Sequence, residues 1–467
     1  MKQSKWSIAF LFWLLVFSSE AQDLGLIRIK SIDISGNKKT KSALILRELD
    51  FKMGDSVAIG DLTERLQRNE GLLMNTGLFN SVKINIREWD TDRRLINLSV
   101  EVAESWYIFP IPIFTLADRN FNQWWTEHNR SLKRVNYGLR FVYVNFTGNK
   151  DNLKLHLQSG YTRKLLLQYE RPYFNRRKTL GMTGRFFFDH RREYVFETRF
   201  NRQQFYPNAD QINFRSTKGI ISLHYRPRVQ TFHDLLFKYE HNKVTDGILD
   251  LNKAFFNGNT TLQFIEMTYS FRRERRDNRF YSLKGNYLEG EIQKEGLGIF
   301  NDLNKLNTSL LYAHYVPISG GVNLELRAKV KREWTRKQHP YYGLQALGFG
   351  EDFIRGYELY VVDGTDFLLS KNALRFKLFD RTFDLKKKMP LRTYRILPIA
   401  LWISLNADVG IVNNYLFNQE NPFNNRWLFG KGIGLDLVLY QKYVFQIEYS
   451  INHLNEKGLF LNVRSDL

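Results

Sequence analysis

The sequence contains no cysteine. That excludes a disulfide framework and a lipid anchor attached at a processed N-terminal cysteine. Beyond the first residues, no apolar run approaches the ~20 residues of a membrane-spanning helix, and the mean hydropathy is −0.41. Catalytic signatures are missing too. There is no Gly-x-Ser-x-Gly elbow, no His-Glu-x-x-His pair and no phosphate-binding Gly-Lys-Ser/Thr loop. Nine histidines are scattered without metal-ligand spacing, and Asp363-Gly-Thr-Asp366 lacks the other ligands of a calcium loop. No enzymatic activity, metal or cofactor is expected.

What is present begins with an export signal. Lys2 and Lys5 precede an unbroken apolar run from Ile8 to Phe17, and Ser19-Glu20-Ala21 has the small-x-small form of a cleavage site. Residues 1–21 read as a signal peptide, with the mature chain starting at Gln22. Aromatic residues make up 15% of the chain, dominated by 37 Phe and 24 Tyr. An exported, aromatic-rich chain without a spanning helix has one good membrane solution, a β-barrel. There, lipid-facing apolar residues alternate with lumen-facing polar ones, so the mean hydropathy stays low. A secreted β-rich soluble protein is the competing reading. The net charge of +21 raises nucleic acid as a partner. The basic residues are spread along the chain at strand spacing, which fits a polar lumen and rims facing anionic lipid better. Nucleic acid is not expected.

Residues 22–104 read as a small α+β domain. Ile27, Ile29, Ile32 and Ile34 mark a strand, and Gly36-Asn37 a turn. Residues 40–50 and a stretch from about Asp61, a candidate N-cap, have helical spacing. Val82, Ile84 and Ile86, then Ile96, Leu98, Val100 and Val102, alternate as two strands. The order is β-α-α-β-β. It and its wording resemble a POTRA domain: Ile32-Asp-Ile-Ser-Gly-Asn-Lys, Gly77-Leu-Phe-Asn-Ser-Val-Lys and Val100-Glu-Val-Ala-Glu. The resemblance implies a periplasmic domain that adds extended polypeptides to a sheet edge.

Residues 105–467 repeat the strand alternation. Leu153, Leu155 and Leu157 alternate with Lys154, His156 and Gln158; Phe445, Ile447, Tyr449 and Ile451 alternate with Gln446, Glu448, Ser450 and Asn452. In Ile433–Leu439 the pattern is broken by Val438 on the polar face. Typical strand and connection lengths give about sixteen strands. The fold class is therefore mainly β, a transmembrane antiparallel barrel behind one small α+β domain. Connections alternate between short, as at Tyr161-Thr162, and long, as at 115–134, 191–211 and 335–366. A further long and basic connection, 382–396, falls on the periplasmic side by strand counting.

The long loop 335–366 carries Ile354-Arg355-Gly356-Tyr357, flanked by Phe353. An arginine set among apolar residues needs a partner. A POTRA-like domain feeding a barrel, with this motif before the fifth strand from the end, resembles the bacterial surface antigen family of outer-membrane proteins, the BamA- and TamA-like group. That resemblance implies a sixteen-stranded barrel whose loop folds into the lumen. The motif arginine would then meet an acid, here Asp408 in Asn406-Ala-Asp408-Val-Gly410. Three positions depart from the family pattern. Asn406 stands where an aromatic is usual, Asn372–Phe376 lacks a glutamate, and the last residue is Leu467 rather than an aromatic.

The implied function is insertion or translocation of polypeptides at the outer membrane of a Gram-negative bacterium, with the N-terminal domain in the periplasm. Its partners would be outer-membrane lipid, unfolded outer-membrane or secreted polypeptides, and accessory periplasmic subunits. A dedicated two-partner-type secretion transporter and a passive pore are the alternatives. Pro110 and Pro112 either lie in a linker or form a first strand unable to donate fully to its neighbour. In the second case the barrel seam lies between them and Leu459, Leu461 and Val463 on the last strand. Arg272-Arg-Glu-Arg-Arg276 reads as a solvated turn or rim rather than a phosphate site. Trp124-Trp125 reads as interfacial aromatics or a docking pair.

Overall fold

The computed structural model describes residues 25–116 and 129–464, apart from 176, 178, 209, 301–302, 338, 387–388, 390–393 and 415–419. The export signal, Trp124-Trp125 and Leu467 lie outside the described residues.

The N-terminal strands are β1 (Leu26–Ser35), β2 (Ser56–Ala58), β3 (Phe79–Asp90) and β4 (Leu95–Glu104), and the helices are α1 (Ser42–Glu48) and α2 (Ile59–Met74). The sheet order is β2-β1-β4-β3, with β1 parallel to β4. Alternation selects the buried face: Ile27 and Ile29 join Leu44, Leu73, Leu98 and Val100 in one apolar core. Strand β2 was not expected, because three residues are too few to display a period. Asp61 is not the N-cap. The helix starts at Ile59 behind Ala58, and Asp61 sits in its first turn, where a carboxylate suits the positive end of the helix dipole.

The second sheet opens with β5 (Ile108–Leu116), β6 (Val135–Tyr143), β7 (Asn152–Gly160), β8 (Thr162–Arg171) and β9 (Leu180–Arg191). A separate small hairpin, β10 (Val195–Arg199) and β11 (Arg202–Phe205), follows. The sheet continues through β12 (Phe214–Arg228), β13 (Thr231–Val244), β14 (Thr261–Glu274), β15 (Gly285–Glu295), β16 (Lys305–Ser319) and β17 (Val322–Glu333). It ends with β18 (Asp366–Asp384), β19 (Ile396–Asn413), β20 (Trp427–Leu439), β21 (Tyr443–Asn452) and β22 (Lys457–Arg464). A short helix, α3 (Asp246–Leu251), lies between β13 and β14. Each strand pairs antiparallel with its neighbour, giving one sixteen-stranded sheet from β5 to β22.

The alternation sorts the two faces. Leu167, Phe186, Ile221, Leu405, Phe429 and Ile447 are exposed on the outside. On β19, Trp402, Ser404, Asn406 and Asp408 are buried on the inside. Soluble monomers rarely expose so large an apolar surface, whereas a lipid-facing belt requires it.

The N-terminal domain meets one end of the sheet. Lys41 N–H donates to Gly148 O at 3.0 Å, and Asn145 Nδ2 to Thr40 Oγ1 at 2.9 Å. Lys442 Nζ donates to Gly77 O at 3.0 Å and to Ser105 Oγ at 2.6 Å. The longest connections cluster at the opposite end, with exceptions that include the following. The tight turn at Tyr161 lies among the long loops, and the long connection after Asp384 lies at the domain end.

Pro110 and Pro112 are strand residues, paired with Phe141 and Leu139, so the linker reading is wrong. Tyr107 C=O accepts from Val144 N–H at 2.7 Å. Backbone direction alternates along a strand, so Pro110 and Pro112 turn their missing N–H groups away from β6, toward the free edge. That is where prolines are tolerated in a sheet. Among the described residues, β5 and β22 share no ladder.

Candidate functional site

Residues 334–365 leave β17 and return into the lumen as a lid before β18. An apolar cluster seats it: Leu347, Ile354, Tyr357 and Tyr360 pack with Phe367 and Phe423. Gly356 has φ +85°, and a Cβ there would lie 2.8 Å from Asn452 N. Only glycine satisfies both the left-handed backbone and this approach. Asn452 Nδ2 donates to Gly356 O at 3.0 Å, which ties the turn to β21. Gly410 leaves room for the motif, since a Cβ there would stand 2.7 Å from Ile354 Cδ1. Gly430 on β20, which sequence reasoning missed, gives way to the Arg355 carbonyl in the same manner.

Arg355 is buried and doubly paired. Its Nη1 donates to Asp408 Oδ1 at 2.8 Å and to Asn372 O at 3.3 Å, and its backbone N–H to Asp408 Oδ2 at 3.1 Å. Its Nε lies 3.1 Å from Glu448 Oε1. Glu448, on β21, is the second carboxylate that Asn372–Phe376 does not provide. Asn406, which replaces the usual aromatic, donates to Glu448 Oε1 at 3.3 Å. The signal was present in the alternation, which put Glu448 on the polar face of its strand. What the alternation could not give was its distance from Arg355. Lys371 lies over the Phe353 ring at 3.6 Å, and Tyr357 stacks on His453 with ring centres 5.7 Å apart.

The lid is also roofed. The β10–β11 turn places Asn201 against the loop after β19: its N–H donates to Asn421 Oδ1 at 2.8 Å, and Phe423 N–H donates to Asn201 Oδ1 at 3.0 Å. Asn201 C=O accepts from Val361 N–H of the lid at 2.9 Å. Beside this, Phe255 and Phe256 behind α3 pack with Tyr341, Tyr342 and Tyr194.

A second segment crosses the lumen from the other end. The β14–β15 connection, 275–284, carries Tyr281 across to Trp402, Val438 and Val444. Its hydroxyl donates to Asp436 Oδ2 at 2.9 Å, and Arg375 lies over its ring at 4.4 Å. Val438, which breaks the polar face of β20, is the seat for this tyrosine. The preceding basic cluster is not simply solvated: Arg272 pairs with Asp234 at 2.8 Å and Arg276 with Glu274 at 2.5 Å. Asn75, just after α2, donates to Asp277 O at 3.2 Å, linking the brace to the N-terminal domain.

The domain joint has its own buried pair, invisible to motif reading. Glu48 Oε1 and Oε2 both accept from Arg226 Nη1 at 2.9 Å, and Tyr173 OH donates to Glu48 Oε1 at 3.1 Å. Arg47 covers the Tyr173 ring at 3.6 Å. Burial pushes the Glu48 carboxyl up, but the charges of Arg226, Lys150 and Arg47 outweigh it and hold the group at about 2.

The predicted seam residues fall on the two end strands. Pro110 and Pro112 are in β5, and Leu459, Leu461 and Val463 in β22. Leu459 and Leu461 are exposed on its outer face.

Comparison with known families matches residues 27–105 to the POTRA model, described as a surface antigen variable number repeat. No curated protein matches the chain. Among solved structures, BamA from Haemophilus ducreyi lacking POTRA domains 1–3 overlays with a TM-score of 0.52 and 13% identity, over 94% of this chain and 84% of that one. CdiB from Acinetobacter baumannii gives 0.49 and 13% over 94% and 74%. CdiB from Escherichia coli gives 0.49 and 11% over 96% and 92%. At such identities the likeness concerns fold alone. Residues 27–105 are thus a POTRA domain of the surface antigen repeat type, followed by a sixteen-stranded antiparallel sheet with the fold of the BamA barrel.

Proposed function

We propose that this protein inserts polypeptides into the outer membrane of a Gram-negative bacterium through the edge between β5 and β22, with the POTRA domain in the periplasm. The observation that carries this reading is the unladdered pair of end strands, one of which turns two proline nitrogens toward the gap. Such an edge is held by few hydrogen bonds and offers unpaired backbone groups to a client strand. The POTRA sheet offers a second edge, β3, which pairs only with β4 among the described residues. An incoming segment extended on β3 would be presented in strand form. Accessory periplasmic subunits would use the same domain. The Arg355 lid and the Tyr281 brace lie across the lumen from opposite ends, so secretion or conduction through it would require both to move aside.

The native chain has no cysteine, so an introduced pair reports without background. Cysteines placed singly on β5 and on β22 and oxidised to a cross-link should abolish insertion of a barrel precursor into vesicles, and reduction should restore it. Full insertion with the strands locked would overturn the reading.

A further inference from the structure

The long basic connection at 382–396 is the end of a ribbon. β17 begins at Val322, opposite Phe376, because the chain turns at Gly320-Gly321. Lys377 N–H still reaches Gly321 O at 2.8 Å, but the strand beyond it, to Asp384, pairs only with β19. A bulge between Lys377 and Phe379 resets which side chains face outward. Past it, Phe379 pairs with Leu401 and Phe383 with Leu397. These lie on the face of β19 that carries exposed Leu405, while Trp402 and Ser404 face the lumen. Phe379 is 39% exposed and Phe383 is 45% exposed. The outer apolar face of the barrel therefore continues onto the ribbon. The opposite face carries Asp380, Thr382 and Asp384; exposed Arg381 lies between the two phenylalanines on their own face, and exposed Lys386 follows Asp384.

An apolar, half-uncovered ribbon needs a partner. Strand addition is discouraged by the bulge and by charges at Lys377, Asp380, Arg381 and Asp384, the usual protection of an edge. Lipid fits better. From Leu405 to Leu397 is about 26 Å along the strand at ~3.3 Å per residue. At a tilt of ~40° this is about 20 Å along the barrel axis. With Leu405 in the middle of the belt, Phe383, opposite Leu397, reaches the headgroup layer, which extends to ~20–22 Å from the bilayer centre, while Phe379, opposite Leu401, lies about 10 Å from the centre, in the hydrocarbon. Aromatic rings and basic side chains belong at that depth, beside phosphates.

We propose that the β18–β19 ribbon is a membrane-surface anchor that lays Phe383 into the headgroup layer of the leaflet on the POTRA side and prefers anionic phospholipid. The proposal rests on the reading that the barrel spans a bilayer. To test it, the full chain carries one fluorophore at Phe383→Cys, Thr382→Cys or Leu405→Cys, in phosphatidylcholine vesicles with or without phosphatidylglycerol. Nitroxide lipids spin-labelled at the headgroup or along the acyl chain serve as quenchers. Acyl-chain nitroxide should quench the Leu405 label. Headgroup nitroxide should quench the Phe383 label several-fold more than the Thr382 label, and more strongly with phosphatidylglycerol. Arg381→Glu with Lys386→Glu should remove that increment and leave the Leu405 signal unchanged. A Phe383 label that neither lipid quenches, with Leu405 quenched, overturns the anchor alone. Shielding of the Phe383 label only when an unfolded barrel precursor is added overturns it in favour of strand addition. If the Leu405 label also escapes acyl-chain nitroxide, the membrane-spanning reading fails first.

Discussion

At the lid, Arg355 lies between two carboxylates, Asp408 and Glu448, with buried Lys371 opposite Asp408 on the neighbouring strand. At the joint between the POTRA domain and the barrel, one carboxylate, Glu48, lies among Arg226, Arg47 and Lys150. Both connect segments far apart in sequence, and both are buried. They differ in which charge reaches across: an arginine from the lid, a carboxylate from the POTRA domain. Removing it leaves the charges it met short of a partner, so each fastening depends most on that one member. The lid hangs on an arginine, and the joint hangs on a carboxylate held well below its ordinary value.

The largest effect is expected from Arg355→Met, which leaves buried Asp408 and Glu448 with Lys371 alone near them, at a cost on the order of 3–5 kcal/mol. Thermal unfolding in detergent and proteolysis within 334–365 would register it. Adding Glu448→Gln should recover part of the loss, because one uncompensated charge goes. No recovery would mean that Glu448 does not share the arginine.

Next comes Glu48→Gln, which gives up charge-assisted hydrogen bonds worth roughly 1.5–3 kcal/mol. The barrel should stay folded while the distance between a spin label on α2 and one on the β12–β13 turn broadens. An unchanged distance distribution would demote the joint to an incidental contact. The same residue sets a pH window. Its ordinary value is 4.5 and its folded value about 2. Its contribution is therefore complete above pH 4.5 and declines as pH falls from there toward about 2. Glu48→Gln should flatten that slope.

Gly356→Ala should cost about 1–3 kcal/mol from the left-handed backbone, with the contact at Asn452 N added, and should loosen the lid but not the joint. The smallest change is Tyr281→Phe. Losing the hydrogen bond to Asp436 should cost about 1 kcal/mol and leave single-channel conductance nearly as it was. Removing the ring with Tyr281→Ala should raise the conductance if the brace obstructs the lumen.

Much of the architecture was legible because its rule is local. A period of two assigns each strand residue to a face, so Glu448 and Asp436 could be put inside from their neighbours alone. The same rule flagged Val438 as an exception without saying that Tyr281 occupies the place beside it. Strand β2 escaped because three residues carry no period. Asp61 misled because Ala58, with no capping side chain, starts the helix through its backbone. Glu48 gave no signal: it sits in a short helix, and Arg226 is placed near it only by the end of β12.

The sequence alone determined the strand faces, the POTRA module, the lid motif with Asp408 and the absence of cysteine chemistry. These depend on residue types at short spacing. Only the tertiary structure decided that Glu448 is the second partner, that 275–284 braces the lumen, and that Glu48 meets Arg226. It also decided that β18 and β19 outrun β17. Those facts depend on where strands end and how their registers stagger around the sheet, a quantity summed over many pairings and carried by no single stretch of chain.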